Sequence, residues 1–398
     1  MNPYLNSLKP YPFERLQQLK NGVKADQSYP HVALSIGEPK HHPPEFVVDI
    51  LADRDLLAAD LAAYPATRGE EPLRVAIAQW LQRRFAARVD PATQVLPVAG
   101  TREAIFSFGQ AILSGRPKSV ALLPNPFYQI YEGAIVLRGA TPYFVAGQPA
   151  DDYRPRYADI PEAIWRACEL VYLCSPANPT GRNLCAEDML WLIEQAERFD
   201  FVIAADECYS EIYLTEENKP AGLLEVAAAA GIDDFRRCVV FHSLSKRSSL
   251  PGLRSGFVAG DAQILARYYQ YRTYEGCALA NHVQKASTAA WQDEEHVIEN
   301  RRLYRQKFAA VTPILATALP VADPEGGFYH WLNIGEDDEA FSRRLYQERN
   351  ITVLPGSYLG RTNNDGNPGA QHIRVAWVAP LADCIAAAER LSDWLGIH

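Results

Sequence analysis

The sequence predicts an α/β fold: a largely parallel sheet covered by helices on both faces, followed by a smaller α+β unit. Two observations predict it. Short, continuously apolar runs recur with helical stretches between some of them: "SVALL" (119–123), "LVYLC" (170–174), "FVIAAD" (201–206), "CVVFHS" (238–243) and "SGFVAG" (255–260). A strand reads as a continuous apolar run when both of its faces are buried, the situation in parallel sheets. Three of these runs also end in polar clusters: "SPANPTG" after "LVYLC", "DECYSEIY" after "FVIAA", and "SLSK" after "CVVFH". Ligand sites in such sheets gather at the carboxyl ends of the strands.

The elements follow in order. Residues 1–45 are rich in proline and turns and read as an arm or strap that completes the small domain. Residues 46–290 read as the large domain. Within it "LRVAIAQWLQRRFAAR" (73–88) and "AEDMLWLIEQAERF" (186–199) are helical stretches. "TREAIFSFGQAIL" (101–113) is another, with Ala104, Ile105, Phe108, Ala111 and Ile112 on one stripe. Residues 291–398 read as the small domain: a long helix, "GGFYHWLNI", a helix near 338–348, "ITVLPG", "HIRVAWV" and a last helix.

Composition bounds the function. The chain has 398 residues, 48% hydrophobic and 22% charged, with a formal net charge of −9. That charge and the absence of any Lys/Arg block argue against a nucleic-acid partner. The seven cysteines lack paired or CxxC spacing, which points to a reducing cytoplasm and no metal site. "MNPYLNSLKPYPFERL" has no apolar core for a signal peptide, and no run is long enough to span a membrane.

Chemistry concentrates in a few residues. Lys246 lies in the serine-crowded "SLSKRSSLPGLRSG", with Arg254 eight residues on. Asp206 closes a strand, either as a carboxylate satisfied by nearby backbone N–H groups or as one held for a cation such as a protonated pyridine nitrogen. Tyr209 is core filler or a hydroxyl for the same ring. Asn178 is part of a proline turn or an amide donor to a phenolate oxygen. Gly100 and Thr101 stand just before a helix, either as an ordinary threonine cap or as a phosphate site that Ser243 and Arg254 complete. Tyr128 is a core aromatic or a stacking ring. Arg374 in "HIRVAWV" lies on a solvated face or grips a carboxylate bidentately. With these groups together, Lys246 reads as the amine that forms a Schiff base with an aldehyde cofactor.

"SLSKRSSLPGLRSG", "SPANPTG", "DECYSEIY", "GTREAI" and "HIRVAWV" resemble, in order, the motifs of class I/II aminotransferases, pyridoxal-phosphate enzymes of fold type I. The resemblance covers nearly the whole chain. It implies a mostly parallel seven-stranded sheet in the large domain and pyridoxal 5'-phosphate as cofactor. It implies that Lys246 forms the internal Schiff base and shuttles the proton. By the same resemblance Asp206 pairs with the pyridine nitrogen, Tyr209 and Asn178 hold the phenolate oxygen, and Tyr128 stacks on the ring. Gly100, Thr101, Arg102, Ser243 and Arg254 hold the phosphate. Tyr64, in "YPATRGEEPLR", reaches it from a partner subunit, so a homodimer is implied. Arg374 takes the substrate carboxylate with the Gly37 backbone and Asn178.

"LSIGEPKHHPP", "SLSKRSSLPGLRSGFVAGD" and "YEGCAL" further resemble the N-succinyldiaminopimelate aminotransferases of bacterial lysine synthesis. Glu275 departs from that pattern where a histidine is expected, and Ser249 where an asparagine is expected. The basic cluster Lys40, His41 and His42 reads either as a solvated loop or as a site for the succinyl end, with Lys40 the candidate ligand. Other readings on the same chain are an aspartate- or alanine-type aminotransferase, a carbon–sulfur lyase of the same fold, an aminotransferase-like regulator and a nicotinamide-dependent dehydrogenase. No basic DNA-binding segment supports the regulator, and no G-x-G-x-x-G follows a strand to support the dehydrogenase.

Overall fold

A computed structural model describes residues 1–396. The strands are β1 (Val32–Ala33), β2 (Val95–Val98), β3 (Val120–Asn125), β4 (Thr141–Ala146), β5 (Cys168–Cys174), β6 (Val202–Asp206), β7 (Cys238–Ser243), β8 (Gly256–Gly260), β9 (Tyr329–Asn333), β10 (Ile351–Thr352), β11 (Leu354–Pro355) and β12 (His372–Ala376). A seven-stranded sheet has the order β2-β8-β7-β6-β5-β3-β4. Only β8 runs against the others, pairing antiparallel with β2 and β7. The chain between β7 and β8 stays at the carboxyl end of β7, and β8 re-enters from there. Lys246 sits in that return.

Both faces of this sheet are covered. Ile203 and Ala205 of β6 join a core with Trp80, Leu81 and Trp291, while Ala204 joins the opposite core with Phe108, Tyr131 and Tyr268. This alternation is why the central strands read as unbroken apolar runs. The sequence reading passed over β2 and β4. These are the two edge strands, and each contains a proline, Pro97 and Pro142. An edge tolerates proline because one side of the strand needs no N–H for the ladder.

The helices lie close to their expected places, at Glu71–Phe85, Thr101–Ile112, Ala186–Phe199, Glu295–Leu315, Asp338–Arg349 and Leu381–Leu395. On Thr101–Ile112 the inner stripe Ala104, Ile105 and Phe108 is buried. Ala111 and Ile112, at the end of the stripe, are only partly buried.

A three-stranded sheet, β11-β12-β9, and the parallel pair β1–β10 form the small unit. Its core includes Phe308, Trp377 and Leu391. The N-terminal segment contributes more core than a strap would. Leu16, on the helix Pro12–Lys20, packs with Leu354, Tyr358 and Leu359, and Leu34 is fully buried. Among the described residues, no helix is long and apolar enough to cross a membrane, and no group of three His, Cys, Asp or Glu is placed to hold a metal.

Candidate active site

The carboxyl ends of β6 and β7, the Asn178 turn, the 36–38 segment and β12 enclose a cavity of about 580 Å³. Gly37, Thr101, Arg102, Tyr128, Asn178, Asp206, Tyr209, Ser243, Lys246, Arg254 and Arg374 all line it. Sequence reasoning had named each of them.

Lys246 sits in a four-residue helix, Leu244–Arg247, capped by Ser243, whose Oγ accepts from the Ser245 N–H at 3.1 Å. Lys246 Nζ donates to Gly37 O at 2.6 Å. Burial depresses its pKa to about 8, and Arg374 and Arg254 add to the depression. A usable fraction of free amine is therefore present near neutral pH.

Asp206 ends β6 and is buried. Tyr131 Oη donates to its Oδ2 at 2.6 Å, and the Cys208 N–H donates to Oδ1 at 3.3 Å. Burial raises its pKa, and the bonds from Cys208 and Tyr131 oppose the rise. Among the described residues it makes no ion pair with a cationic side chain, so a buried carboxylate faces the cavity without a countercharge.

Arg374 is on β12, the central strand of the small sheet, and is 4% exposed. Its Nη1 donates to Asn178 Oδ1 at 2.8 Å and its Nη2 to Ser35 O at 2.7 Å. Its Nε is buried without a partner. An orphaned buried donor of this kind is costly unless an acceptor arrives, and a carboxylate oxygen suits it. Because Asn178 Oδ1 is occupied by Arg374, the Asn178 amide nitrogen remains for the cavity.

Gly100 is the cap of the helix Thr101–Ile112, with φ +92°, and Thr101 is its first helical residue rather than the cap. A Cβ on Gly100 would lie 2.2 Å from Arg254 Nη2. The helix start, the Ser243 and Ser245 hydroxyls and Arg254 together form an anion cradle. A bidentate pair between the buried Arg272 and the half-buried Glu103 braces it: Arg272 donates to both carboxylate oxygens, at 2.8 and 3.0 Å, and Glu103 accepts from the Ala99 N–H.

Of the wall residues that the sequence reading did not assign to the site, Tyr329, Tyr11 and Cys208 make contacts with those it did. Tyr329 Oη meets Tyr209 Oη at 2.8 Å, and its ring lies 4.4 Å from the Arg374 guanidinium. Tyr11 brings the N-terminal segment to the rim, under Arg102. Cys208 contacts Thr101 Oγ1 at 3.1 Å. The aromatic in "GGFYHW" was the one signal for Tyr329; Tyr11 and Cys208 left none.

Lys40 and Tyr64 do not line the cavity. Lys40 is exposed, and so is Tyr64, at 101%. His41 turns away from the cavity onto Tyr304, so the three basic residues do not act as one cluster. Glu275 also lies outside the cavity, 3.9 Å from Arg272. Ser249 has φ +52°, a left-handed conformation that asparagine adopts more readily, which is a physical reason to expect asparagine there.

The sequence profile of the family "Aminotransferase class I and II" matches residues 30–390. The chain belongs to the class I and II aminotransferases. This aminotransferase is 30% identical over 393 residues to LL-diaminopimelate aminotransferase of Aquifex aeolicus, across 98% of this chain and 97% of that one. It is 32% identical over 362 residues to 4-dedimethylamino-4-oxo-anhydrotetracycline transaminase of Streptomyces rimosus, across 91% and 93%. The crystal structure of an aminotransferase from Neisseria meningitidis Z2491 superposes with a TM-score of 0.94 at 46% identity, covering 99% of this chain and 100% of that one.

Aminotransferases of this family depend on pyridoxal phosphate and act on amino acids and 2-oxo acids. The cavity fits that cofactor chemically. It offers one amine, one buried carboxylate without a countercharge and a cradle of anion donors. The cradle gives a test. In Gly100→Ala the new methyl group displaces the Arg254 guanidinium, and alanine at φ +92° costs about 1–3 kcal/mol. Cofactor affinity measured by equilibrium dialysis falls about tenfold or more. An unchanged affinity would show that Arg254 does not hold the phosphate.

Proposed function

We propose that the protein is a transaminase of lysine and diaminopimelate synthesis. It exchanges an amino group between glutamate/2-oxoglutarate and N-succinyl-2-amino-6-oxopimelate/N-succinyl-LL-2,6-diaminopimelate, in a ping-pong sequence. The observation that carries the reaction class is that Lys246, Asp206 and Arg374 face one cavity. The substrate rests on the stretches "LSIGEPKHHPP" and "YEGCAL", and on similarity to proteins named LL-diaminopimelate aminotransferases. A tetracycline-series transaminase at comparable identity makes the acceptor a matter for experiment.

Pyridoxal phosphate in this cavity would supply an aldehyde for the lysine and a ring that withdraws electrons from the substrate α-carbon. Lys246 Nζ, the lysine amine at the cavity wall, would hold the cofactor by its aldehyde carbon and would carry the proton taken from the substrate α-carbon. The Asp206 carboxylate would keep the ring nitrogen protonated. The Asn178 amide and the Tyr209 hydroxyl would donate to the ring oxygen, and Tyr128 would stack on the ring. Gly100, Thr101, Arg102, Ser243 and Arg254 bind the phosphate. Arg374 would orient the substrate α-carboxylate beside Gly37 and Asn178, and Lys40, exposed and outside the cavity wall, would meet the succinyl group only where the substrate extends beyond that wall.

The same reading makes the protein a cytoplasmic homodimer in which Tyr64 of one copy completes the other's phosphate site. It divides the chain into an arm (1–45), a large domain (46–290) and a small domain (291–398).

Absorbance titration tests the reading. Glutamate bleaches the visible band of the loaded protein, and the succinylated oxo acid restores it at low concentration. Equal restoration by oxaloacetate or pyruvate would make it an aspartate- or alanine-type enzyme. Breakdown of substrate without any oxo-acid acceptor would make it a lyase.

A further inference from the structure

A stripe on the helix Glu295–Leu315 reaches Lys246 from outside the cavity. Asn300 Nδ2 donates to the carbonyl oxygens of Lys246 and Arg247, each at 3.0 Å. These carbonyls close the four-residue helix that carries the lysine, where no further turn supplies N–H donors to them. A carbonyl oxygen only accepts, so the orientation of the Asn300 amide is settled: Nδ2 faces the short helix and Oδ1 faces away from it. Oδ1 lies 2.7 Å from His41 Nδ1, which must therefore carry the proton. His41 Nε2 is left as an acceptor and sits 2.8 Å from Lys307 Nζ, a natural donor.

Every hydrogen in this chain points the same way, from Lys307 through His41 and Asn300 to the Lys246 peptide. The surroundings agree. Asn300 is 6% exposed and Lys307 is 3% exposed. Burial holds the His41 pKa near 4, so the ring is neutral at pH 7, as the arrangement requires. Ser249 Oγ donates to His41 O at 3.1 Å, fixing the same residue through its backbone. His41 follows Gly37 by four residues, and Gly37 O holds the amine of Lys246. One segment thus grips the lysine at its side chain and, through Asn300, at its peptide.

We propose that His41 and Asn300 are positioning residues for Lys246, forming with Lys307 a one-way hydrogen-bond relay that sets the lysine peptide so that Nζ faces the cofactor aldehyde. The inference rests on Lys246 being the cofactor lysine. It replaces the idea that His41 belongs to a substrate-binding basic cluster.

Two substitutions of one residue separate this role from general packing. His41→Asn keeps a donor near the Nδ1 position and loses the group at Nε2, whereas His41→Gln does the reverse. The first readout is the rate at which the full-length, cofactor-stripped chain takes up pyridoxal phosphate, followed by visible absorbance below the melting temperature of every variant. His41→Asn stays within about twofold of the parent, while His41→Gln and Asn300→Leu are each about tenfold slower, as expected for a lost buried hydrogen bond. The double variant His41→Gln/Asn300→Leu is no slower than Asn300→Leu alone, because both changes cut one path.

In the loaded enzyme kcat falls while KM for glutamate holds. Equal uptake by the two His41 variants, or additive losses in the double variant, would overturn the relay. A parent protein that gains no visible band, or a Lys246→Ala variant whose band matches the parent's, would instead overturn the assignment of Lys246, and the relay with it.

Discussion

Lys246→Ala abolishes covalent capture of pyridoxal phosphate and slows transamination by about 10⁴-fold or more, since both nucleophile and proton carrier are lost. Among the cavity-lining residues, Lys246 supplies the only lysine amine. Arg102, Arg254 and Arg374 are the other cations there, and guanidinium groups neither attack an aldehyde nor give up a proton near neutral pH. The substitution leaves Gly37 O without its 2.6 Å donor, but the cavity is open to water and the fold survives. The variant therefore still binds the cofactor by its phosphate, with a spectrum altered from that of the parent. A small primary amine in the buffer restores part of the proton transfer. Stopped-flow absorbance with glutamate makes the measurement. Turnover within tenfold of the parent would remove Lys246 from the mechanism.

Arg374→Lys retains the positive charge and still lowers kcat/KM about 10²- to 10³-fold, mainly through KM for both glutamate and the oxo acid. The guanidinium holds Asn178 Oδ1 and Ser35 O with two different nitrogens and keeps Nε free for a ligand. An ammonium group has one nitrogen and cannot span all three directions. Whichever acceptor it leaves is buried and unpaired, at a cost of about 1–3 kcal/mol. The visible spectrum of the loaded enzyme stays close to the parent's if, as proposed, Arg374 acts on the substrate rather than on the cofactor. Steady-state kinetics with each substrate checks the split. An unchanged KM would place the substrate carboxylate elsewhere.

The residues of this cavity differ in how legible they were. Lys246, Asp206 and Asn178 each follow an apolar run, so strand periodicity alone places them at one edge of a sheet. Gly100 and Thr101 announce a helix start by local composition. Arg374 was visible as a charge inside a strand pattern, though its direction was not. The edge strands escaped because β2 is only four residues long and both strands carry a proline, while β4 is also largely half-exposed, which weakens the apolar signature. Lys40 and His41 looked alike in "KHH", yet one is exposed and the other packs on Tyr304.

The sequence by itself determined the class of sheet, the chain order of the polar clusters and the residue types at the strand ends. These depend on local periodicity and on backbone preferences that act within a few residues. Only the tertiary structure decided which distant groups meet. Gly37 O takes the amine of a lysine 209 residues away, and Tyr329 meets Tyr209 across 120. His41 reaches Asn300 across 259 residues and Lys307 across 266. Such pairs leave no periodic trace, because their geometry is set by how the small unit and the N-terminal segment pack on the large sheet.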